Sequence, residues 1–245
     1  MGRPFLILQL RPETPASDNE FEAFLKFGGL KPTDVRRVRM EADGLPKVNL
    51  NDYSAIIVGG GPSNISDPPA KQPPEQRKFE PPLFDLIDQV IAEDLPFLGA
   101  CYGIGALAKV AGGKVSKEKY GEDVGAVDIS LTKKGQKDPL TAGLPKTFRA
   151  FVGHKEACQD VPKQAVLLAS SADCPVQMIR VKNNVYGTQF HPELDSHGLA
   201  LRIKIYKDAG YFPPEDADML IDKANQETVT VPEQILQRFV QKYRR

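Results

Sequence analysis

Residues 95–105, Leu-Pro-Phe-Leu-Gly-Ala-Cys-Tyr-Gly-Ile-Gly, set an apolar run directly against a helix-like run with Cys101 at the junction. A buried strand can pass into a helix over so few residues only through a sharp turn. Gly99 and Gly103 flank the junction, where a Cβ would collide with strand or helix. This local pattern is that of a nucleophile elbow, and it commits the surrounding chain to strand-then-helix architecture. The positive end of the helix dipole favours thiolate, the reactive form of cysteine, so the expectation is a lowered thiol pKa. A packed core thiol is the alternative.

The rest of the chain alternates in the same way. Phe5–Gln9, Val35–Met40, Ala55–Val58 and Pro96–Ala100 read as strands. Glu20–Phe27, Leu83–Glu93 and Ile104–Ala111 read as helices, with Leu83, Leu86, Ile87, Val90 and Ile91 forming an amphipathic stripe. Such alternation predicts an α/β fold with a mostly parallel open sheet covered by helices on both faces. Short strand-like pieces from Lys114 to about Ala169 predict a small antiparallel extension near the site. A helical tail follows, over Leu199–Asp208, Pro214–Ala224 and Pro232–Tyr243. The 245 residues fit one domain, with a core over about 1–195 and a helical C-terminal extension over about 196–245. The proline-dense run from Pro62 to Pro82 cannot be regular helix or central strand throughout, and reads as a surface loop or a lid beside the site.

Two further motifs offer partners for the thiol. Val185 to Phe190 reads as a strand ended by Pro192, which places His191 at its carboxyl end, where open parallel sheets carry their chemistry. Glu193, two residues on, points to the same face if the chain stays extended, and there it orients and charges the imidazole. Cys101, His191 and Glu193 thus form a candidate relay of nucleophile, base and orienting acid. Upstream, the strand Ala55–Val58 opens into Gly59-Gly60-Gly61-Pro62-Ser63, whose bare N–H groups suit a phosphate cradle or an oxyanion hole. A metal set on His191, Glu193, Asp195 and His197 is a rival reading, opposed by Pro192 and the turn-like residues after it. A dinucleotide fingerprint over Gly103–Ala108 is another, but it comes late in the chain and lacks its acidic partner. Capping of the tail helix or solvent exposure is the plainer role for His197.

The ordered set Gly-Gly-Pro-Ser, Gly-x-Cys-x-Gly and Phe-His-Pro-Glu resembles the class I, or triad, glutamine amidotransferases over roughly residues 50–195. Within that family the likeness is greatest to the amidotransferase domain of GMP synthetases. The resemblance implies thiol-dependent hydrolysis of the glutamine side-chain amide through a γ-glutamyl thioester on Cys101. It implies His191 as base then acid, Glu193 as its partner, and the backbone N–H groups of Gly61 and Tyr102 as the oxyanion hole. It places Gly60, Gly105, Gly153 and His154 at the substrate, the last two within a Val-Gly-His-Lys-Glu segment like the loop that holds the amino-acid end. The family usually carries Gln where this chain has Gly105, so the substrate is expected to be glutamine or another γ-glutamyl compound. A stand-alone γ-glutamyl amide or peptide hydrolase and a non-catalytic regulatory subunit both stay open. No cofactor and no metal is implied. The chain shows no Ser-Gly-Gly-x-Asp-Ser pyrophosphatase loop and no Walker sequence, so any ammonia acceptor is expected on a separate synthetase subunit.

Composition agrees with this class. The 32 basic and 32 acidic residues balance, against a general nucleic-acid or anionic-membrane surface. No run approaches a membrane span. The 3 cysteines suit a reducing cytoplasm rather than a disulfide framework, with Cys158 and Cys174 read as buried small hydrophobes.

Overall fold

The computed structural model describes residues 2–245. In chain order the strands are β1 (Phe5–Gln9), β2 (Val35–Arg39), β3 (Ala55–Val58), β4 (Phe97–Ala100), β5 (Val115–Ser116), β6 (Glu122–Leu131), β7 (Thr147–His154), β8 (Ala157–Cys158), β9 (Ala165–Ser170), β10 (Met178–Val181) and β11 (Val185–Thr188). The helices are α1 (Thr14–Gly28), α2 (Met40–Asp43), α3 (Pro74–Glu93), α4 (Tyr102–Val110), α5 (Ser196–Tyr206), α6 (Ala217–Gln226) and α7 (Val231–Tyr243). One 9-stranded sheet runs β2-β1-β3-β4-β11-β10-β9-β6-β7. The strands from β2 to β11 pair in parallel, and β10, β9, β6 and β7 continue the sheet antiparallel. The predicted α/β fold is present, with the antiparallel strands extending the main sheet; β5 and β8 form a separate pair.

Strand alternation divides the core. Leu6, Leu8, Ile56 and Val58 face α3 and α4, where Leu83, Leu86, Ile104 and Leu107 pack against them. Phe5, Ile7, Ala55 and Ile57 face the opposite layer, Phe24 of α1 and Ile235, Leu236 and Phe239 of α7. Both faces are covered, so these central strands read as unbroken apolar runs rather than as alternating ones.

Several boundaries differ from the expectation, among them three in the first half of the chain. Helix α1 begins at Thr14, with Pro15 in its first turn, where a missing N–H costs nothing. Met40 leaves β2 to start the short α2. The largest correction is α3, which opens at Pro74 and carries Pro81 and Pro82 inside it, so the proline run is loop only as far as Pro73. Arg77 and Lys78, whose carbonyls lose their helical partners to these prolines, lie on the exposed side, where water can satisfy them. The buried face, Phe79, Leu83, Leu86 and Val90, is left intact.

Candidate active site

Cys101 leaves β4 with φ 51 and ψ −97, a conformation that L-residues rarely adopt and that costs about 1–3 kcal/mol. Two backbone bonds hold it there: Cys101 N–H to Thr188 O at 2.8 Å, and Gly105 N–H to Cys101 O at 3.3 Å. A Cβ on Gly99 would stand 2.5 Å from the backbone carbon of Gly103, so glycine is what lets α4 pack this closely on β4. The elbow is real.

The sheet brings the second motif alongside. Strand β11 pairs with β4 in parallel, Thr188 opposite Ala100, so Cys101 and Gln189 leave the sheet side by side. Gln189 Nε2 lies 3.9 Å from Cys101 Sγ. Strand β11 ends at Thr188 rather than Phe190, and the chain then turns, with His191 N–H donating to Phe151 O at 3.1 Å. His191 Nδ1 and Glu193 Oε1 lie 2.8 Å apart, both residues buried. Asp195 instead caps α5 through Gly198 N–H and pairs with Lys26, while His197 is exposed in the first turn of that helix. The four-residue metal set therefore does not converge.

Two pockets meet at Cys101, sharing Gly61, Gly153 and Tyr211. One holds His191 with Arg11, Arg202, Leu199, Tyr206 and Phe212. The other holds Gly105, His154, Lys155, Glu156, Asn64 and Gln189. Among the described residues, neither Gly61 N–H nor Tyr102 N–H donates to a protein acceptor, as an oxyanion hole requires.

Not every expected substrate contact behaves as one. Gly60 lines neither pocket: its N–H donates to Glu20 Oε1 at 3.3 Å, and a Cβ there would stand 2.6 Å from His191 Cε1. It is kept bare to make room for the imidazole. Both ring nitrogens of His154 are engaged, Nε2 with Glu122 Oε2 at 2.8 Å and Nδ1 with Glu156 O at 2.9 Å, so His154 shapes its pocket wall. Glu122, His154 and buried Cys174 form a tight donor cluster. Its carboxylate is taken up by His154, Ser171 and Gln177, and the Cys174 thiol contacts Val176 O. A Cβ on Gly105 would lie 3.0 Å from Ile65 Cδ1, so Ile65 fills the space where the family's glutamine side chain would start. Beside it, Glu156 accepts from Ile65 N–H, Ser66 N–H and the Ser66 hydroxyl at 2.7–2.9 Å.

The electrostatics correct one expectation. Burial pushes the Cys101 thiol up to about 12, with the Arg11 guanidinium opposing it, so the resting sulfur is a thiol. Burial also lowers His191 below the ordinary imidazole value; Glu193 opposes this, while Arg202 and Arg11 reinforce it. Glu193 stays ionised well below the usual carboxylate range despite burial, because His191 and Arg202 stand against it.

Arg11, Glu20 and Arg202 escaped the sequence reading. Glu20 interrupts the buried stripe of α1 formed by Ala16, Ala23 and Phe24. Arg202 interrupts that of α5, between Leu199, Ile203 and Tyr206. A charge inside an apolar helical stripe was the signal available.

A family model described as "Glutamine amidotransferase class-I" matches residues 22–201. The chain belongs to this family. Among curated relatives, GMP synthase [glutamine-hydrolyzing] of Thermosipho melanesiensis is 34% identical over 170 residues, 65% of this chain and 30% of that protein. A shorter relative, named as one subunit of the GMP synthase of Sulfurisphaera tokodaii, is 33% identical over 146 residues, 59% of this chain and 70% of that protein. This chain thus spans about a third of the longer relatives it matches. A solved glutamine amidotransferase from Thermotoga maritima superposes with TM-score 0.75 at 22% identity, covering 98% of each chain, a likeness of fold. Among the described residues, no helix is long and apolar enough to cross a membrane.

Proposed function

We propose that this amidotransferase hydrolyses the γ-carboxamide of glutamine through a thioester on Cys101. The observation that carries the reading is the His191–Glu193 contact of 2.8 Å in a pocket that also contains the elbow cysteine. Glu193 holds the Nδ1 proton, which leaves the Nε2 lone pair to take the proton of Sγ as sulfur attacks the amide carbon. Because the resting sulfur is a thiol, proton transfer and attack go together. Gly61 and Tyr102 N–H groups receive the oxyanion. Its collapse breaks the C–N bond, and His191 returns the proton so that ammonia leaves. Water then attacks the thioester with His191 again as base, giving glutamate and the free thiol. The Glu156 side of Cys101 offers a carboxylate for the ammonium of the amino-acid end. Ammonia then passes to a separate synthetase subunit, an arrangement supported by the likeness to a relative that is itself named as one subunit of a GMP synthase.

An electrophilic glutamine analogue is expected to label Cys101 and spare Cys158 and Cys174, and Cys101→Ser to abolish release of glutamate. Labelling of another cysteine with Cys101 untouched would refute the reading.

One observation favours a second substrate. The leaving amine must depart on the side of His191, and the pocket there is walled by Leu199, Ile203, Tyr206 and Phe212. Those walls suit the amine of a larger γ-glutamyl amide better than ammonia. Glutamate release from glutamine set against γ-glutamyl amides of increasing apolar size decides between them. A cytoplasmic setting fits either substrate.

A further inference from the structure

Two guanidinium groups lie buried beside the relay, and neither comes from the stretch that matches the family: Arg11 precedes residue 22 and Arg202 follows residue 201. Arg202 reaches in from α5, its Nη2 3.0 Å from Glu193 Oε1, the same oxygen that holds His191. Its Nη1 stands 3.2 Å from His191 Nδ1. That nitrogen cannot donate to Glu193 and accept from Arg202 at once. The shorter contact, to a full negative charge, prevails, so Nδ1 keeps its proton and Nε2 stays free for the thiol. Behind Arg202, Glu20 Oε1 lies 3.9 Å from Arg202 Nη2, 2.8 Å from Arg11 Nε and 3.3 Å from Gly60 N. Arg11, Glu20, Arg202 and Glu193 cancel as a set.

Buried ion networks add little stability, because desolvation offsets their mutual attraction. What they fix is the potential at the groups they surround. An unopposed buried carboxylate against Nδ1 would stabilise the imidazolium, and a protonated His191 cannot take the thiol proton. We propose that Arg202 is a positioning residue that neutralises Glu193, so the carboxylate orients the imidazole without turning it into a strong base. This rests on the Cys101 relay proposed above. The charged and titratable groups around His191 are Glu193 on its own loop, Arg202 and Tyr206 on α5, Arg11 after β1, Glu20 on α1, Cys101 at the elbow and Tyr211 in the pocket. The two guanidiniums are the only fixed cations among these.

The test uses the full chain with Arg202→Gln and Arg202→Lys. Two readouts are taken: the pH dependence of kcat/KM for glutamine, and the NMR titration of the His191 ring in a Cys101→Ser background. Arg202→Gln keeps donors but removes the charge, so the His191 midpoint and the acid limb are expected to rise by about one pH unit. Arg202→Lys keeps the charge and loses the forked geometry, so the limb stays near its wild-type position while kcat falls. A His191 midpoint unmoved in Arg202→Gln would overturn the proposal and leave Arg202 a packing residue. Should that variant not fold, Glu20→Gln/Arg202→Gln removes an opposed pair and leaves Glu193 facing the imidazole without Arg202; the midpoint must again rise, and its constancy overturns the idea. The titration needs no turnover, so an inactive wild-type chain would refute the relay while the role of Arg202 is still decided.

Discussion

At the scale of the residue, the proposed relay makes His191 and Glu193 unequal. His191 moves two protons, so His191→Ala is expected to lower kcat by about 10²–10⁴-fold. Glu193→Ala removes only the orienting group, and the loss should be smaller; steady-state glutamate release checks both. The pH profile follows from the signs already given. His191 acts as a base only when neutral, and its value is lowered, so kcat/KM should hold as pH falls through the ordinary imidazole range and drop only below it. The thiol, pushed up to about 12, gives no second rise near neutrality. Alkylation of Cys101 by iodoacetamide without substrate should accordingly be slow at pH 7 and quicken steeply in alkali. Cys101, His191 and Glu193, which the structure brings to one pocket wall or into contact with it, were legible as candidates because each stands in a short motif whose glycines or proline fix the backbone. Arg11, Glu20 and Arg202 were not, because their contacts with one another and with Glu193 arise only where α1, α5 and the end of β1 meet in space. The raised thiol differs from the expectation for a related reason: a helix start can be read from sequence, but the depth of a sulfur cannot.

Elements carry two further expectations. Ile65 Cδ1 lies 3.0 Å from the point where a Gly105 side chain would begin. Gly105→Gln alone should therefore overpack this corner, at about 1–3 kcal/mol of stability. Gly105→Gln with Ile65→Ala should recover stability and lower KM for glutamine with little change in kcat. Denaturant titration and steady-state kinetics read the pair. In α3, Pro81 is exposed inside the helix. Pro81→Ala restores an N–H for the Arg77 carbonyl and should stabilise by about 1–3 kcal/mol, seen as a raised Tm. The stripe from Leu83 to Ile91 was plain in the sequence, but the turns before it were hidden. Prolines vote against a helix locally, and the buried contacts of Gln76, Phe79 and Glu80 that outvote them are tertiary.

For the whole molecule, alternation of strands and helices was enough to predict the layered sheet, but strand order was not in the pattern. The neighbouring of β4 and β11, far apart in the chain, is what sets Cys101 beside Gln189 and near His191. Only the ordered motifs pointed to it. The tail helix α7 completes one core layer with Ile235, Leu236 and Phe239. Phe239→Ala should cost about 3–5 kcal/mol by denaturant unfolding, more than any surface change in the tail. The neutral quartet of Arg11, Glu20, Arg202 and Glu193 also bears on how such a protein can drift over generations. Loss of any one member strands a buried charge, at about 3–5 kcal/mol, a large share of what holds an ordinary domain folded. Loss of an opposed pair leaves the balance at zero. Descendants that abandon this device should therefore do so two positions at a time, one acidic with one basic, and lineages caught between should be scarce.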